Sequence, residues 1–394
     1  RTQLPFGQLS ILLFLRFCES ASTSVIYPFL DELLAWITGE HEKVGYYAGT
    51  MEFIRQVVSL AVVMFWSQAS DHVGRKPILF LGTFALATST ISFGISKAFW
   101  ALVMSRCIFT GLNSNSGVIK GMIREITDES NNADAFAFLH APWAIGYAFG
   151  AFVGGSLARP HTNFPSIFPG TVWKIFPYLL PCLIMGCLSG IGCLFISIFL
   201  REVCYTPNEP LLHSSEREQS SASPEYRQNE APPPLRTLLT RPVVVACGNY
   251  CILGALHVSF NTLQPLFLAM PAHLGGLALA PPSIGYILAT YGVFNALGQT
   301  FLLGRFVRLF GAKKVFMSAV AALIPLFLLP LAMNTWVRAY GFSWHAKAML
   351  FIELACLFVV ELGYGSVYIF INASAPNKRA LGAVNGMGQT MVSV

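Results

Sequence analysis

Charged residues are scarce in this chain, and their scarcity decides its class. Asp, Glu, Lys and Arg make up 11% of the 394 residues, whereas 54% are apolar. A soluble domain usually carries about 25% charged residues, because charge keeps a water-facing surface solvated. With 19 acidic residues, the chain also lacks the composition of an acidic tail or a disordered activator. We therefore predict an integral membrane protein.

Motifs for metal, nucleotide and enzyme chemistry are also absent. The nine cysteines include no C-x-x-C pair and no Cys/His ligand spacing, so we expect buried free thiols and no metal site. No G-x-x-x-x-G-K sequence occurs, which argues against an ATP-driven pump. No Ser/His or His/Asp cluster marks a membrane enzyme, and we predict no enzymatic activity.

Ten apolar stretches have the length of about 20 residues that a bilayer-crossing helix needs. They are Leu9–Leu30, Val44–Trp66, Ile78–Ser96, Phe99–Ile119, Ala135–Ala158, Phe176–Leu200, Val243–Met270, Ile284–Leu303, Val315–Met333 and Ala348–Ile371, and an eleventh begins near Leu381. A polar, Pro/Ser-rich segment between spans six and seven is typical of a disordered linker. We predict a six-helix half over residues 1–201, a cytosolic linker over 202–240, and a second half over 241–394 that holds spans seven to ten and the start of eleven.

Positive charge is distributed unequally between the two sides of these spans. The loops on the side of the N-terminus hold sixteen Lys and Arg residues, and the opposite loops hold six. Because cytosolic loops are enriched in Lys and Arg, we predict a multi-pass protein with a cytosolic N-terminus. The same distribution explains the net charge of +6 without a nucleic-acid partner. The first span carries Arg16 and Glu19 and has no small-residue cleavage site, so we expect no cleavable signal peptide and some sequence before Arg1.

The second half repeats landmarks of the first at a nearly constant offset. Four positions of the segment between spans two and three recur 237 residues later, and two glycines of span five recur after 236. The matches are Ser67, Asp71, Gly74 and Lys76 with Gly304, Arg308, Gly311 and Lys313, then Gly146 and Gly150 with Gly382 and Gly386. Parallel repeats of six spans are typical of secondary transporters. The counterpart of span six would lie beyond Val394, so we expect the second half to be truncated.

Three sequence signatures resemble those of the major facilitator superfamily. Residues 67–77, SQASDHVGRKP, resemble G-x-x-x-D-R-x-G-R-K, with Ser67 and His72 as departures. Arg106 precedes two glycines in span four, as in a second signature. Span five resembles the antiporter signature G-x-x-x-G-P-x-x-G-G, with Ala151 in place of its Pro. The matching positions are Asp71, Gly74, Arg75 and Lys76 in the first signature, and Gly146, Gly150, Gly154 and Gly155 in the third. Nearly the whole chain is similar to fungal transporters of the drug:proton antiporter type and to zinc-induced-facilitator-like proteins.

This resemblance implies an all-α polytopic fold of two six-helix halves. It also implies a proton-coupled secondary transporter, an antiporter or exporter, that moves a small organic molecule by alternating access. A facilitative uniporter and a transport-inactive sensor on the same fold are the alternatives. We expect a monomer in a lipid bilayer, with protons and a small molecule as ligands and no cofactor beyond a proton gradient. The plasma membrane and the vacuolar membrane both fit.

The first signature is a candidate gate. Asp71 ends span two, and Arg75 and Lys76 follow the turn at Gly74. An acid and two cations there can pair across the loop and against neighbouring helix ends. The resemblance implies that this latch opens and closes during transport. Positive-inside topology alone would explain the two cations but not Asp71.

Charges inside the spans are costly, about 2.5–3.5 kcal/mol each on insertion scales, and need a partner or a function. Arg16 and Glu19 are three residues apart, as are Glu52 and Arg55, so each pair can close on one helix face. Local neutralisation alone would explain both pairs. Glu19 and Glu52 fall near mid-depth, however, where substrate sites of such transporters lie.

Two charged residues have no such local partner. Arg106 needs an acid from another helix or from a substrate, and the resemblance ties it to proton coupling. Glu361 lies near the middle of span ten without a neighbouring cation. It is therefore either protonated or paired with a distant Arg such as Arg106, unless it only joins helices by a hydrogen bond. Glu19, Arg106 and Glu361 are the proton-coupling candidates. We expect Glu353, nearer the outer rim, to be solvated.

Uncharged side chains complete the candidate site. The substrate-binding candidates are Glu52, Asn113, Asn261, Gln264 and Asn295. Polar groups of this kind also simply join helices. The glycines of span five recur on one face and allow close helix packing by default, and the resemblance adds a bending gate.

Overall fold

The computed structural model describes residues 5–113, 115–126, 139–201 and 240–374, and the regular elements in this part of the chain are helices. The N-terminal half contains α1 (Phe6–Ser24), α2 (Leu30–Thr38), α3 (Val44–Val73), α4 (Arg75–Ile95), α5 (Phe99–Leu112), α6 (Asn115–Ile126), α7 (His140–Leu157), α8 (Pro160–Asn163), α9 (Thr171–Ile175) and α10 (Leu179–Phe199). The second half contains α11 (Arg241–Ala269), α12 (Pro281–Phe301), α13 (Leu303–Phe310), α14 (Ala312–Tyr340) and α15 (Trp344–Ser374).

In the described part of the chain, each of the ten predicted spans overlaps one helix or two consecutive helices. This is the expected outcome, since an apolar segment in a bilayer must satisfy its own backbone hydrogen bonds. Within the described residues, six helical segments are long and apolar enough to cross a membrane, or seven if α12 and α13, bent by 49°, count as one. The fold is therefore the all-helical polytopic architecture expected from the sequence. The predicted linker and the eleventh span fall almost entirely outside the described residues.

Span four is not the single helix predicted over Phe99–Ile119. It divides into α5 and α6 at Asn113, whose backbone is extended at φ −97° and ψ 106°. The Asn113 carboxamide oxygen accepts a hydrogen bond from the backbone N–H of Asn115 at 3.0 Å. Asparagine side chains compete with the helical backbone for such donors, which explains the break and why apolar content alone missed it.

The internal repeat reappears in the backbone. Gly74 joins α3 to α4 with φ 101° and ψ 158°, and Gly311 joins α13 to α14 with φ 83° and ψ 148°. These two glycines lie at the offset of 237 residues found in the sequence. Both adopt a region that side-chain-bearing residues avoid, so each junction turns the chain between two helices through a single glycine.

Helix α7 connects the two halves through two small-residue faces. Gly146, Gly150 and Gly154 face the α1 backbone, and a methyl group on Gly146 would lie 2.5 Å from the carbonyl oxygen of Phe17. On its other face, a methyl group on Gly155 would lie 2.7 Å from Cα of Gly285 in α12. Small residues thus bring the α7 backbone against one helix of each half.

The two halves share apolar clusters at one end of the bundle. We call the end where α1, α4 and α11 begin the basic end, and the other the opposite end. Two apolar clusters combine residues of both halves at the opposite end, where Leu266 and Met270 pack against Phe29, and Ala151 packs with Ile284. The clusters toward the basic end each contain described residues of one half only. Among the described residues, the apolar clusters shared by the two halves therefore lie at the opposite end.

The cysteines of the described part are free thiols, in agreement with the sequence. Their predicted burial holds for Cys18, Cys182, Cys193 and Cys247, but Cys187 is exposed. Cys187 lies in α10, on a face that looks away from the packed interior. A thiol in an apolar helix can thus face lipid as well as the protein core.

The glycine junction predicts a substitution with a matched control. A methyl group at Gly311 meets no atom within 4 Å, and the same is true of Gly248 within α11. Any difference between the two alanine variants therefore reports backbone conformation alone. Gly311→Ala should destabilise the protein by about 1–3 kcal/mol, whereas Gly248→Ala should stabilise it by about 0.5–1 kcal/mol. Thermal unfolding of the purified variants checks this, and equal melting temperatures would contradict the junction geometry.

Candidate functional site

The first polar cluster is built around Glu19 of α1. The guanidinium Nη1 of Arg16 lies 2.8 Å from Glu19 Oε2, and Asn113 Nδ2 donates a hydrogen bond to Glu19 Oε1 at 3.3 Å. The Arg16 guanidinium also stacks 4.0 Å from the ring centre of Trp143 in α7. The ion pair predicted on one face of α1 is therefore formed. Asn113, at the break in span four, adds a third side chain to the cluster.

Lys120 belongs to the same neighbourhood, which the sequence did not suggest. The count of Lys and Arg on the two sides of the membrane placed Lys120 in a cytosolic loop. It lies instead within α6, close enough to Arg16 and Glu19 to interact with their charges. The reason is the position of the helix break, which brings α6 into the polar interior. Only the folded arrangement of α1 and α6 shows this neighbour.

The second polar cluster joins α3 to α5. Arg55 Nε lies 3.0 and 2.9 Å from the two carboxylate oxygens of Glu52, so this predicted pair is bidentate. Arg106 is only 6% exposed and interacts with the charges of both residues. Its Nε has no hydrogen-bond partner among the described residues. A buried cation with an unmatched donor thus stands beside a completed ion pair.

A cavity of about 20 Å³ adjoins this cluster, between the junction of α1 with α2 and the helix α11 of the other half. Its lining includes Tyr27, Asp31, Glu52, Arg106, Pro265 and Leu266. The volume suffices for about one water molecule. Asp31 was not a sequence candidate, yet its Oδ2 is buried and lacks a described hydrogen-bond partner. A carboxylate and a guanidinium with unmatched atoms therefore face one small space between the halves.

The third polar cluster lies in the second half and is built around Glu361 of α15. His257 Nε2 of α11 lies 2.5 Å from Glu361 Oε1, and Asn261 Nδ2 lies 2.8 Å from the same ring nitrogen. The His257 and Tyr364 rings have centroids 4.9 Å apart. The described basic partner of Glu361 is thus a histidine of span seven, whereas its suggested pairing with a distant Arg such as Arg106 stays a prediction.

Three further polar residues of the second half are buried. Asn295 of α12 is 9% exposed and Gln264 of α11 is 4% exposed, and both carry side-chain atoms without a described hydrogen-bond partner. Glu353 was expected to be solvated, but it is 0% exposed. Glu353 lies on the face of α15 that packs inside its own half. Hydropathy does not show which face of a helix is buried, which explains the difference.

The signature loop has defined contacts for its two cations. The Arg75 guanidinium packs directly on Gly121 of α6, and Lys76 Nζ donates to the carbonyl oxygen of Ser197 in α10 at 3.1 Å. Both contacts stay within the N-terminal half. The Asp71 side chain lies outside the described residues, so the latch between Asp71 and these cations stays a prediction.

The three clusters share one chemical property. In each, a largely buried carboxylate contacts a base and an amide or a second cation, and at least one of these partners comes from another helix. Adding or removing a proton would change the charge balance of a site where unpaired charge is expensive. Such sites can therefore link protonation to the relative positions of helices. The described residues contain no group of three or more His, Cys, Asp or Glu side chains arranged to hold a metal ion.

Comparison with known proteins gives consistent matches along the chain. Residues 9–394 match the family model of the Major Facilitator Superfamily. A multidrug transporter of Aspergillus fumigatus, mfsB, is 26% identical over 99% of this chain and 76% of its own length. The efflux pump azaK of Aspergillus niger is 24% identical over 99% and 79%, and the Arabidopsis thaliana protein Zinc Induced Facilitator 1 is 24% identical over 100% and 82%.

Solved structures with the same fold are also similar. An inward-facing, occupied bacterial homologue of the human lysosomal transporter Spinster has a TM-score of 0.68 at 15% identity, covering 98% of this chain and 78% of that one. A D-xylose–proton symporter has a TM-score of 0.69 at 13% identity, covering 99% and 88%. At these identities the likeness concerns the fold alone.

The second cluster predicts how stability responds to loss of one charge. Glu52→Gln leaves Arg55 and Arg106 as neighbouring buried cations, so we expect the free energy of unfolding to fall by about 3–5 kcal/mol. The double variant Glu52→Gln/Arg55→Gln should recover part of that loss, because it removes the stranded cation. Denaturation of the purified variants measures both values. If the double variant has a lower free energy of unfolding than Glu52→Gln alone, the electrostatic coupling is contradicted.

Proposed function

Because the chain belongs to the major facilitator superfamily, we propose that it is a proton-coupled secondary transporter that exports a small organic molecule by alternating access. The names of the A. fumigatus multidrug transporter and the A. niger efflux pump support export of organic molecules. The antiporter-like glycines of α7 support coupling to an opposing proton flux. A facilitative uniporter and a transport-inactive sensor are the competing functions.

The contact between His257 and Glu361 carries the proposal of proton coupling. A carboxylate and an imidazole at 2.5 Å, each mostly buried, form a pair that can hold one or two protons. Histidine is the side chain whose ordinary protonation change falls near neutral pH. The pair also joins α11 to α15, so its proton content acts on the contact between two helices of one half.

The arrangement of the halves supports alternating access. The apolar clusters close the opposite end, and the small cavity beside Arg106 lies under this closure. With a cytosolic N-terminus, the closed end would face away from the cytosol. The molecule would then take substrate from the cytosol and release it outward, which serves export across a plasma membrane as well as loading of a vacuole.

Arg106 and the Glu52–Arg55 pair are the substrate-facing part of this proposal. They lie next to the other half, since Pro265 and Leu266 of α11 line the same cavity. The unmatched Nε of Arg106 provides a donor for a substrate or for a carboxylate that becomes ionised during the cycle. Glu19, with Arg16 and Asn113, provides a second acidic group toward the basic end.

Transport in proteoliposomes under an imposed pH gradient tests the proposal. With a panel of labelled organic compounds, we expect wild-type uptake to follow the gradient and to fall to the background when an ionophore dissipates it. Glu361→Gln should lose the response to the gradient, since a neutral amide cannot exchange a proton. Glu40→Gln, at an exposed ion pair with Lys43, is the matched control and should behave as wild type.

The outcomes separate the competing functions. Gradient-independent uptake by both wild type and Glu361→Gln would show a facilitative uniporter. If no compound moves in the wild type or in Arg106→Ala, the transport-inactive sensor would replace the transporter.

A further inference from the structure

We propose that Glu353 is a second proton-binding site of the second half, separate from the His257–Glu361 pair, and that its burial among apolar side chains holds it as the neutral acid. The starting observation is complete burial, because Glu353 is 0% exposed. Both carboxylate oxygens lack a hydrogen-bond partner among the described residues. A buried carboxylate without partners is unstable as an anion, which leaves the protonated form.

The surroundings of Glu353 are apolar. Leu350 and Leu357 flank it at three and four residues along α15, and both are buried. The cluster at this level also contains Leu268 of α11 and Met333 of α14. This packing excludes the water that would otherwise stabilise an ionised carboxylate.

Charged side chains of the described helices packed on α15 are engaged elsewhere. On α11, His257 contacts Glu361, and on α12, Tyr291 lies near Glu361. At the far end of α14, Arg338 donates to the carbonyl oxygens of Ala272 and His273. The remaining cations of these helices are exposed, namely Arg241, Arg305, Arg308, Lys313, Lys314 and Lys347. On its own helix, Glu353 has Cys356 as its titratable neighbour.

Gln264 provides the complementary partner. Its side chain is close enough to Glu353 for a hydrogen-bonding interaction with the carboxyl group, but neither of its amide atoms forms a hydrogen bond of good geometry in the described part of the structure. A primary amide and a carboxylic acid can exchange two hydrogen bonds, with the acid O–H donating to Oε1 and the amide N–H donating to the acid carbonyl. An ionised carboxylate would satisfy only the amide N–H. The amide can therefore pair with either form of Glu353, and complete burial decides in favour of the neutral acid.

The site is separate from the proton pair already described. Glu353 and Glu361 are eight residues apart on α15, which corresponds to about 12 Å of helical rise. Both face α11, Glu353 through Gln264 and Glu361 through His257. Protonation of Glu353 would add a second site to the proposed proton coupling. Its role in transport rests on the proposed function, but its protonation state does not.

Chemical labelling tests the protonation state without requiring transport. A lipid-soluble carbodiimide adds only to a protonated carboxyl group: the acid proton moves to a carbodiimide nitrogen, the carboxyl oxygen bonds to the central carbon, and an acyl shift to nitrogen gives a stable acylurea. With purified wild-type protein in lipid nanodiscs at near-neutral pH, we expect Glu353 to react more than about tenfold faster than exposed Glu40. Peptide mass spectrometry locates the added reagent.

Two variants make the result specific. Glu353→Gln should abolish labelling of that peptide and retain the wild-type melting temperature, because Gln imitates the neutral acid. Glu361→Gln should leave labelling of Glu353 unchanged. If Glu353 labels only in acid, or if Glu353→Gln lowers the melting temperature in the way expected for loss of an ion pair, the proposal is overturned.

A transport measurement separates this inference from the proposed function. In proteoliposomes, Glu353→Gln should retain substrate movement and lose part of its dependence on the pH gradient. Labelling of Glu353 in a protein that shows no proton coupling would uphold the site and refute the coupling. Coupled transport with an unlabelled Glu353 would refute the site and leave the proposed function standing.

Discussion

The cost of burying charge among apolar helices is the constraint on which the interior of this protein depends. Each intramembrane charge costs about 2.5–3.5 kcal/mol on insertion scales unless it is neutralised. Glu19, Glu52 and Glu361 are each satisfied by a base within 3.0 Å, on their own helix or on a neighbour. Other helices also contribute, since Asn113 contacts Glu19, the charge of Arg106 acts on Glu52, and His257 contacts Glu361. A helix movement that separates such partners leaves a charge unmatched, and a proton that neutralises one partner removes the penalty. Helix position and protonation are therefore linked by the same energy.

Breaks in the helices position these partners. The chain leaves helical geometry at Asn113, and that residue then reaches Glu19 while Asn115 Nδ2 donates to Thr83 in α4 at 3.1 Å. Irregular backbone at membrane depth is tolerated where protein satisfies the freed groups, which these asparagines do. Gly74 and Gly311 serve a different purpose, because each turns the chain between two consecutive helices at matching points of the two halves. The repeat thus preserves the two glycine turns. The broken span, which carries Arg106 and Lys120, belongs to the N-terminal half.

The sequence predicted what depends on local pattern. Spacing along one chain segment predicts the ten apolar spans, the two ion pairs spaced three residues apart and the glycine junctions. It did not predict the partner of Glu361, because His257 is 104 residues away and equally compatible with helix packing. Hydropathy also could not separate the buried face of a helix from its lipid face, which is why Glu353 was taken as solvated and Cys187 as buried. Asp31 and Lys120 were missed for a related reason, since charge near a predicted span end indicates a loop unless the helix is known to continue.

The contact between α7 and α12 is made largely by small residues. Backbone meets backbone at Gly155 and Gly285, and Ala148 faces Gly292, so in the proposed cycle the crossing angle could change there with adjustment of few large side chains, such as the contacting rings of Phe152 and Tyr286. The apolar clusters at the opposite end respond differently, because opening them exposes surface at about 25 cal/mol per Å². In the proposed cycle, an apolar contact at a closed basic end would replace this one, which would bring the two arrangements closer in energy. A small bias then decides between them. The buried carboxylates are suited to supply that bias, because their free energy changes with each proton gained or lost, whereas the apolar contacts do not respond to pH.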